Sequence, residues 1–314
     1  MRGNTGHFGN SFTKHAMEMS RRHLLAAGVA TAWGMWGARL LRAAPVSQRY
    51  KVGVCDWMML KRQKLGAIPL AKEVGADGVE VDMGGLGDRP TFDNKLVDAE
   101  VRKQFLDASR SNGVEICSLA MSGFYAQSFP EREHVDRVVQ DCIDTMGLMG
   151  AKVAFLPLGV RGDLVKRPEL RPVVVERLKA VAPSAEKAGV VIGIETSLDA
   201  EGDRKLLDDV GSPAIRIYFN FSNALQANRD LIKELRTLGK ERICQIHCTD
   251  QDGVWLQDNK RLDMPRVKAA LDEMGWGGWL VIERSRRADR SRDVKGNFSA
   301  NAHYLKTIFQ GAHE

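Results

Sequence analysis

The chain has 314 residues, 44% hydrophobic and 27% charged, with a formal net charge of +6. That balance belongs to a globular chain able to bury a large core, and it excludes a mainly disordered or fibrous protein. Six basic residues (Arg2, Lys14, Arg21, Arg22, Arg39, Arg42) and one acid, Glu18, fall in the first 45 positions; the remainder carries 40 basic and 39 acidic residues and gives no electrostatic case for nucleic acid.

The first segment to carry a signal is "SRRHLLAAGVATAWGMWGARLLRAAP", residues 20 to 45. Paired arginines stand before an Ala- and Gly-rich apolar stretch, and small residues precede Pro45, a pattern that resembles a twin-arginine export signal. The apolar stretch Leu24 to Ala38 is about 15 residues, short of the roughly 20 needed to span a bilayer, so no permanent anchor is expected. Residues 1–45 are therefore read as a signal and 46–314 as the folded part, in a periplasmic or secreted protein. An amphipathic or disordered N-terminal arm is the competing reading.

From residue 51 onward one unit recurs: a helical pattern, a glycine, then a short apolar run. It is seen in "LAKEVGADGVEVDM" (70–83), "LDASRSNGVEICSLAM" (106–121), "MGLMGAKVAFLPLG" (146–159), "AEKAGVVIGIETS" (185–197) and "LDEMGWGGWLVIERS" (271–285). Glycine accepts the left-handed conformation that closes a helix, and β-branched residues favour the strand that follows. With "YKVGVCDW" (50–57), "AIRIYFNFSNA" (214–224) and "RICQIHCTD" (242–250) the count reaches eight strands. Near-continuous apolar strands alternating with helices predict an α/β protein, a single-domain (β/α)8 TIM barrel. A doubly wound open sheet is disfavoured, because no glycine fingerprint follows the first strand. Segment 83–97 is expected to be a βα loop over the barrel mouth, and 297–309 a closing amphipathic helix.

The five cysteines (55, 117, 142, 244, 248) are odd in number and mostly sit in apolar runs, so buried free thiols are expected rather than a disulfide framework. No CxxC occurs, which removes the usual thiolate zinc patterns.

In such barrels chemistry gathers at the C-terminal strand ends. The fifth to eighth strands end in Glu195, Asn220, His247 and Glu283. A carboxylate at the end of a buried strand costs several kcal/mol unless paired, and a divalent cation shared by these four groups would be that partner. The donor types favour Mn²⁺ or Mg²⁺, with Zn²⁺ less favoured.

"GVVIGIETS", "IYFNFSNA", "QIHCTD" and "WLVIERS" resemble the xylose isomerase-like sugar isomerase and epimerase superfamily, over residues 50–310. The resemblance implies one metal bound by Glu195, Asn220, His247 and Glu283, where the family usually has Asp at the place of Asn220. It also implies an isomerase or epimerase of a non-phosphorylated sugar or related keto compound, with Glu195 and Glu283 moving a proton through an enediolate. Substrate-binding candidates are Asn223, against a helix cap; Asp250, as a partner of the histidine or the sugar; and Glu80, against a salt bridge at the rim. Trp57 and Phe124 could wall the sugar face, against simple packing.

Two other classes remain: a lyase expelling the aglycone of keto-glycosides, and a non-catalytic sugar-binding protein on a degenerate barrel. A nuclease with a histidine-held zinc cluster is excluded, since beyond His247 the body has only His134, His303 and His313. The expected partner is a small carbohydrate, with no nucleic acid; a homo-oligomer is left open.

Overall fold

A computed structural model of the protein describes residues 49–311; the expected export signal, residues 1–45, lies outside the described residues. Eight parallel strands close on themselves in sequence order: β1 (Tyr50–Cys55), β2 (Gly78–Asp82), β3 (Glu115–Ala120), β4 (Val153–Pro157), β5 (Val191–Glu195), β6 (Ile215–Asn220), β7 (Ile243–His247) and β8 (Gly278–Ile282). The last strand pairs with the first, Val52 opposite Leu280 and Gly53 opposite Val281, so no sheet edge is left open.

Helices cover the outside: α1 (Ala67–Glu73), α2 (Ala99–Asn112), α3 (Val135–Met149), α4 (Arg171–Ala188) and α5 (Ala200–Val210), then α6 (Phe221–Gln226), α7 (Leu231–Leu238), α8 (Met264–Met274) and α9 (Val294–Gln310). The glycine punctuation works as the sequence predicts. Gly113, Gly150, Gly189 and Gly275 take left-handed conformations just past α2, α3, α4 and α8, and each helix hands directly to a strand.

Strand side chains alternate between two separate cores. Outward residues such as Ile192, Ile194, Ile217, Ile246 and Ile282 join the helices in one continuous apolar layer. The barrel interior holds two smaller groups, Cys55, Cys117 and Val281 in one and Ala120, Phe155 and Tyr218 in the other. Two strand glycines leave room for its large side chains. A Cβ on Gly78 would stand 2.6 Å from the Trp279 ring, and one on Gly193 would stand 2.6 Å from Cys244 Sγ and 3.0 Å from Tyr218 Cβ. All five cysteines are free thiols.

The predicted βα loop at 83–97 follows β2 and is tied down, since Gln127 Nε2 and Arg132 Nη1 both donate to Gly87 O at 2.7 Å. The closing helix is α9, longer than expected by three residues at its start and one at its end. None of the described helices is long and apolar enough to cross a membrane.

Candidate active site

Period-two alternation decides what meets at the mouth. The outermost inward positions of β5, β6 and β7 are Glu195, Asn220 and His247, and Glu283 follows the last residue of β8. All four are buried, and the structure brings them together. Asn220 Nδ2 donates to Glu195 Oε2 at 3.1 Å and to Glu283 Oε2 at 3.2 Å. His247 Nδ1 lies 3.4 Å from Glu195 Oε2 and 3.9 Å from Glu283 Oε2, within ion-pair reach of both but without a hydrogen-bond partner among the described residues.

The other face of the imidazole is fixed from below. His247 Nε2 meets Glu80 Oε1 at 3.0 Å, while Ser118 Oγ and Tyr218 Oη donate to Glu80 Oε2 at 2.6 and 2.7 Å. Gln245 Nε2 completes the network by donating to Ser118 Oγ and Tyr218 Oη. Each charge-assisted bond is worth about 1.5–3 kcal/mol, enough together to hold a carboxylate inside a barrel. Phe155 and Tyr218 pack on the ring, with centroids 4.7 and 4.5 Å away. Burial by itself pushes the His247 pKa down, but Glu80, Glu195 and Glu283 outweigh it and raise it to about 10. Burial likewise raises the Glu283 pKa, and Glu195 adds to this against His247, Arg284 and Tyr125.

The donors fit a divalent cation in part. A buried imidazole nitrogen without a hydrogen bond among the described residues faces two carboxylate oxygens, which is a sound set of three for such an ion. The fourth expected ligand needs correction. Asn220 Oδ1 accepts the Ser222 backbone N–H at 2.9 Å as the N-cap of α6, so the amide turns its NH₂, not its oxygen, toward the glutamates. On the opposite side of the ring, Cys55, Glu80 and His247 also have ligand-type atoms within 4.8 Å of one another. There, burial and the Glu80 charge raise the Cys55 pKa well above its ordinary value, so a cation on that side would have to displace the thiol proton.

The remaining candidates separate. Asn223 lines the cavity and donates to Glu195 Oε1 at 3.3 Å and to Thr196 O at 3.0 Å. Glu80 is neither at the mouth nor in a rim salt bridge: it is the buried partner that orients His247. The sequence offers Asp250 for that role; instead it is clasped by Arg261 Nη2 at 2.5 Å and by Asn259 Nδ2 at 2.9 Å. Phe124 is core, edge-on to Phe92 and Phe129. Trp57 stacks on Phe155 and meets His247 edge-on, which makes it a lid on the barrel interior rather than a wall of the cavity.

Above the carboxylates opens a cavity of about 510 Å³ that Glu195, Asn220 and Glu283 reach. Tyr125, Asp163, Lys166 and Arg284 also line it; of the four the sequence marks only Arg284, as the start of the basic run 284–293 after the last strand. Tyr125 carried a usable signal: it adjoins Phe124, and of two neighbouring aromatics the one with a polar tip belongs at a wet mouth. Its hydroxyl donates to Glu283 Oε1 at 3.2 Å.

The fold recurs among known proteins. The family described as "Xylose isomerase-like TIM barrel" matches residues 68–308, and the chain belongs to it. Among curated proteins, it is similar to the 2-epi-5-epi-valiolone 7-phosphate 2-epimerase of Actinoplanes sp., 30% identical over 207 residues, 64% of this chain and 72% of that one. Among solved structures, the D-psicose 3-epimerase of Clostridium cellulolyticum H10, determined with D-tagatose, superposes with a TM-score of 0.65 at 13% identity, covering 82% of this chain and 99% of its own. The IolI protein, determined with a bound zinc atom, gives a TM-score of 0.64 at 14% identity over 84% and 99% of the two chains.

Proposed function

We propose that the protein is an isomerase or epimerase of a sugar or related keto compound, and that Glu195 and Glu283 move the proton. The observation that carries this reading is the division of labour between carboxylate oxygens. Each Oε2 faces inward to Asn220 and His247, and each Oε1 is held by a side chain of the cavity wall, Asn223 for Glu195 and Tyr125 for Glu283. Two such groups suit a proton relay across a substrate, in which one Oε1 takes a proton from the carbon beside a carbonyl and the other returns one to the same or the next carbon. Asn220 fixes the span between the carboxylates, so the substrate alone has to be positioned. His247, clamped from beneath by Glu80, aims Nδ1 at the same place.

Glu195, His247 and Glu283 would hold a divalent cation, Mn²⁺ or Mg²⁺ before Zn²⁺, and its contribution is Lewis-acid stabilisation of developing negative charge. The curated relative's name, an epimerase, supports the reaction class. The leader supports export by the twin-arginine route, with activity outside the cytoplasm.

The test is deuterium uptake from heavy water into a panel of ketoses and keto-glycosides, followed by NMR. Wild-type protein should label the carbon next to the carbonyl, and Glu195→Gln and Glu283→Gln should each lower the rate by at least 100-fold, within the range of acid–base catalysis. Labelling that survives both substitutions removes the glutamates from the mechanism. Loss of an aglycone during labelling would favour the lyase reading, which uses the same base. Absence of exchange with the whole panel would favour a sugar-binding protein.

A further inference from the structure

Three arginines follow β8 within five residues, and they have different fates. Arg286 grips Asp252, with Nη2 to Oδ2 at 2.6 Å and Nε to Oδ1 at 3.1 Å. Arg287 grips Asp289 through two bonds, at 2.9 and 2.8 Å, and lies over the Trp255 ring. Arg284 makes no side-chain hydrogen bond among the described residues. Its nearest acid is Glu283, at 3.9 Å from Nε, and it lines the cavity.

The backbone is built to place it there. Arg284 N donates to Thr249 Oγ1 at 3.0 Å. Ser285, next in the chain, holds a left-handed φ of +65° although it is not glycine. That conformation is kept by burial and by three contacts: Ser285 Oγ accepts the Asp250 N–H at 3.1 Å, Asn301 Nδ2 donates to Ser285 O at 2.8 Å, and Oγ also reaches Asp250 O at 3.5 Å. A kink secured so thoroughly turns Arg284 toward the mouth and sends Arg286 the other way.

The cavity's other cations are already engaged. Lys166 pairs with Asp163 at 3.3 Å, and Arg229 pairs with Glu234 at 3.3 Å and donates to Ser197 O. Arg284, whose one ion pair among the described residues is the 3.9 Å contact with Glu283, is thus the most loosely held cation of the cavity lining.

We propose that Arg284 recognises an anionic group, a carboxylate or a phosphate, carried by the substrate. A planar fork of N–H donors suits either group bidentately, and a neutral sugar would offer it no opposite charge. This rests on the sugar isomerase or epimerase reading above and narrows its substrate class.

The experiment measures dissociation constants by calorimetry for three probes on the intact protein: D-fructose, D-fructuronate and D-fructose 6-phosphate. At least one anionic probe should bind tenfold or more tightly than fructose, with the margin shrinking as salt is added. In Arg284→Gln the ratio of anionic to neutral affinity should fall to near one. Arg284→Lys should keep part of it, and Arg286→Gln should leave it unchanged. The tighter anionic probe identifies carboxylate or phosphate as the source. Equal affinities for all three probes, or a margin that persists in Arg284→Gln, would overturn the proposal. Thermal melts of both Arg284 variants establish that they fold, and Arg284→Lys carries the test if the glutamine variant does not. Exchange in heavy water is read separately: labelling without a charge margin sinks this inference alone, and a margin without labelling sinks the isomerase reading alone.

Discussion

Replacing Asn220 by Asp is the most informative perturbation of the centre. In the protein as it stands, Nδ2 gives two hydrogen bonds to carboxylate oxygens, at 3.1 and 3.2 Å. Bonds to charged acceptors are worth about 1.5–3 kcal/mol each, and the aspartate would replace both with repulsion between like charges. His247, charged and facing the same oxygens, relieves part of this. A net loss of about 3 kcal/mol is therefore expected for metal-free Asn220→Asp, a fall in Tm of about 5 °C for a folded part of this size. The same strain is released when a cation binds, so affinity for Mn²⁺ should rise by about 100-fold, since each 1.4 kcal/mol is a factor of ten. Asn220→Ala completes the series. It deletes the opposing NH₂ and costs the α6 cap about 1 kcal/mol, but it should not weaken the metal. Calorimetric titration with Mn²⁺ and melts with and without the ion read both quantities. If Asn220→Ala binds Mn²⁺ at least tenfold more weakly while Asn220→Asp is unchanged, the amide presents its oxygen to the ion and the orientation argued from the Ser222 N–H is wrong.

Other predictions follow from neighbouring groups. Tyr125→Phe frees Glu283 Oε1 from its hydroxyl partner and should lower kcat by about tenfold with little change in KM, seen in the exchange assay; an unaltered kcat would reduce Tyr125 to packing. Asp203, buried beneath Thr196, has its pKa raised by burial to about 8, against the Thr196 hydrogen bond and Arg229. The folded state thus holds this proton more tightly than the unfolded chain, so Asp203's contribution to stability is full below its unfolded pKa of about 4 and is lost as pH rises through 8. Urea melts at pH 5, 7 and 9 should show Asp203→Asn gaining on wild type at each step, and parallel curves would refute the assignment. Substituting Lys for both Arg21 and Arg22 should retain the protein in the cytoplasm, as read by fractionation of the expressing cells; unchanged export would dismiss the twin-arginine reading.

The barrel was legible because its signals are local and repeated. A left-handed glycine after a helix and a β-branched run after the glycine are each set within a dozen residues, and five copies left little freedom in the topology. The four strand-end residues were legible for a related reason: their place on the strand determines where they point. What the sequence hid depends on contacts between distant segments. The sequence offers Asp250 as the partner of His247 and Glu80 for the mouth or a rim salt bridge, and only the close approach of β2 to β7 across the interior gives the role to Glu80, 167 positions away. Arg284 lies in the basic run "RSRRADRSRD" (284–293), which follows the last strand and reads as an anion site or, with Asp289 and Asp293 interspersed, more readily as a salt-bridged loop, because charge pattern alone cannot say which arginine faces the cavity. Phe124 and Tyr125 are separated by their orientation in a single 3₁₀ turn, which places one in the core and the other on the cavity.

Asn220 ties the fold to the site. The residue works in two directions at once, with one side-chain atom capping α6 and the other facing the two glutamates. Asn and Asp are nearly equal as N-caps, so the exchange of one for the other leaves the β6–α6 junction, and with it the position of Asn223 on the cavity wall, unaffected. The whole effect of the exchange falls on the second atom, where an acceptor becomes a donor and the centre gains one unit of charge. An aspartate there needs a cation to keep three carboxylates together; an asparagine binds the two remaining ones by itself. The carboxylate pair is thereby held together by Asn220 alone, and the proposed acid–base pair would not need a cation for its assembly.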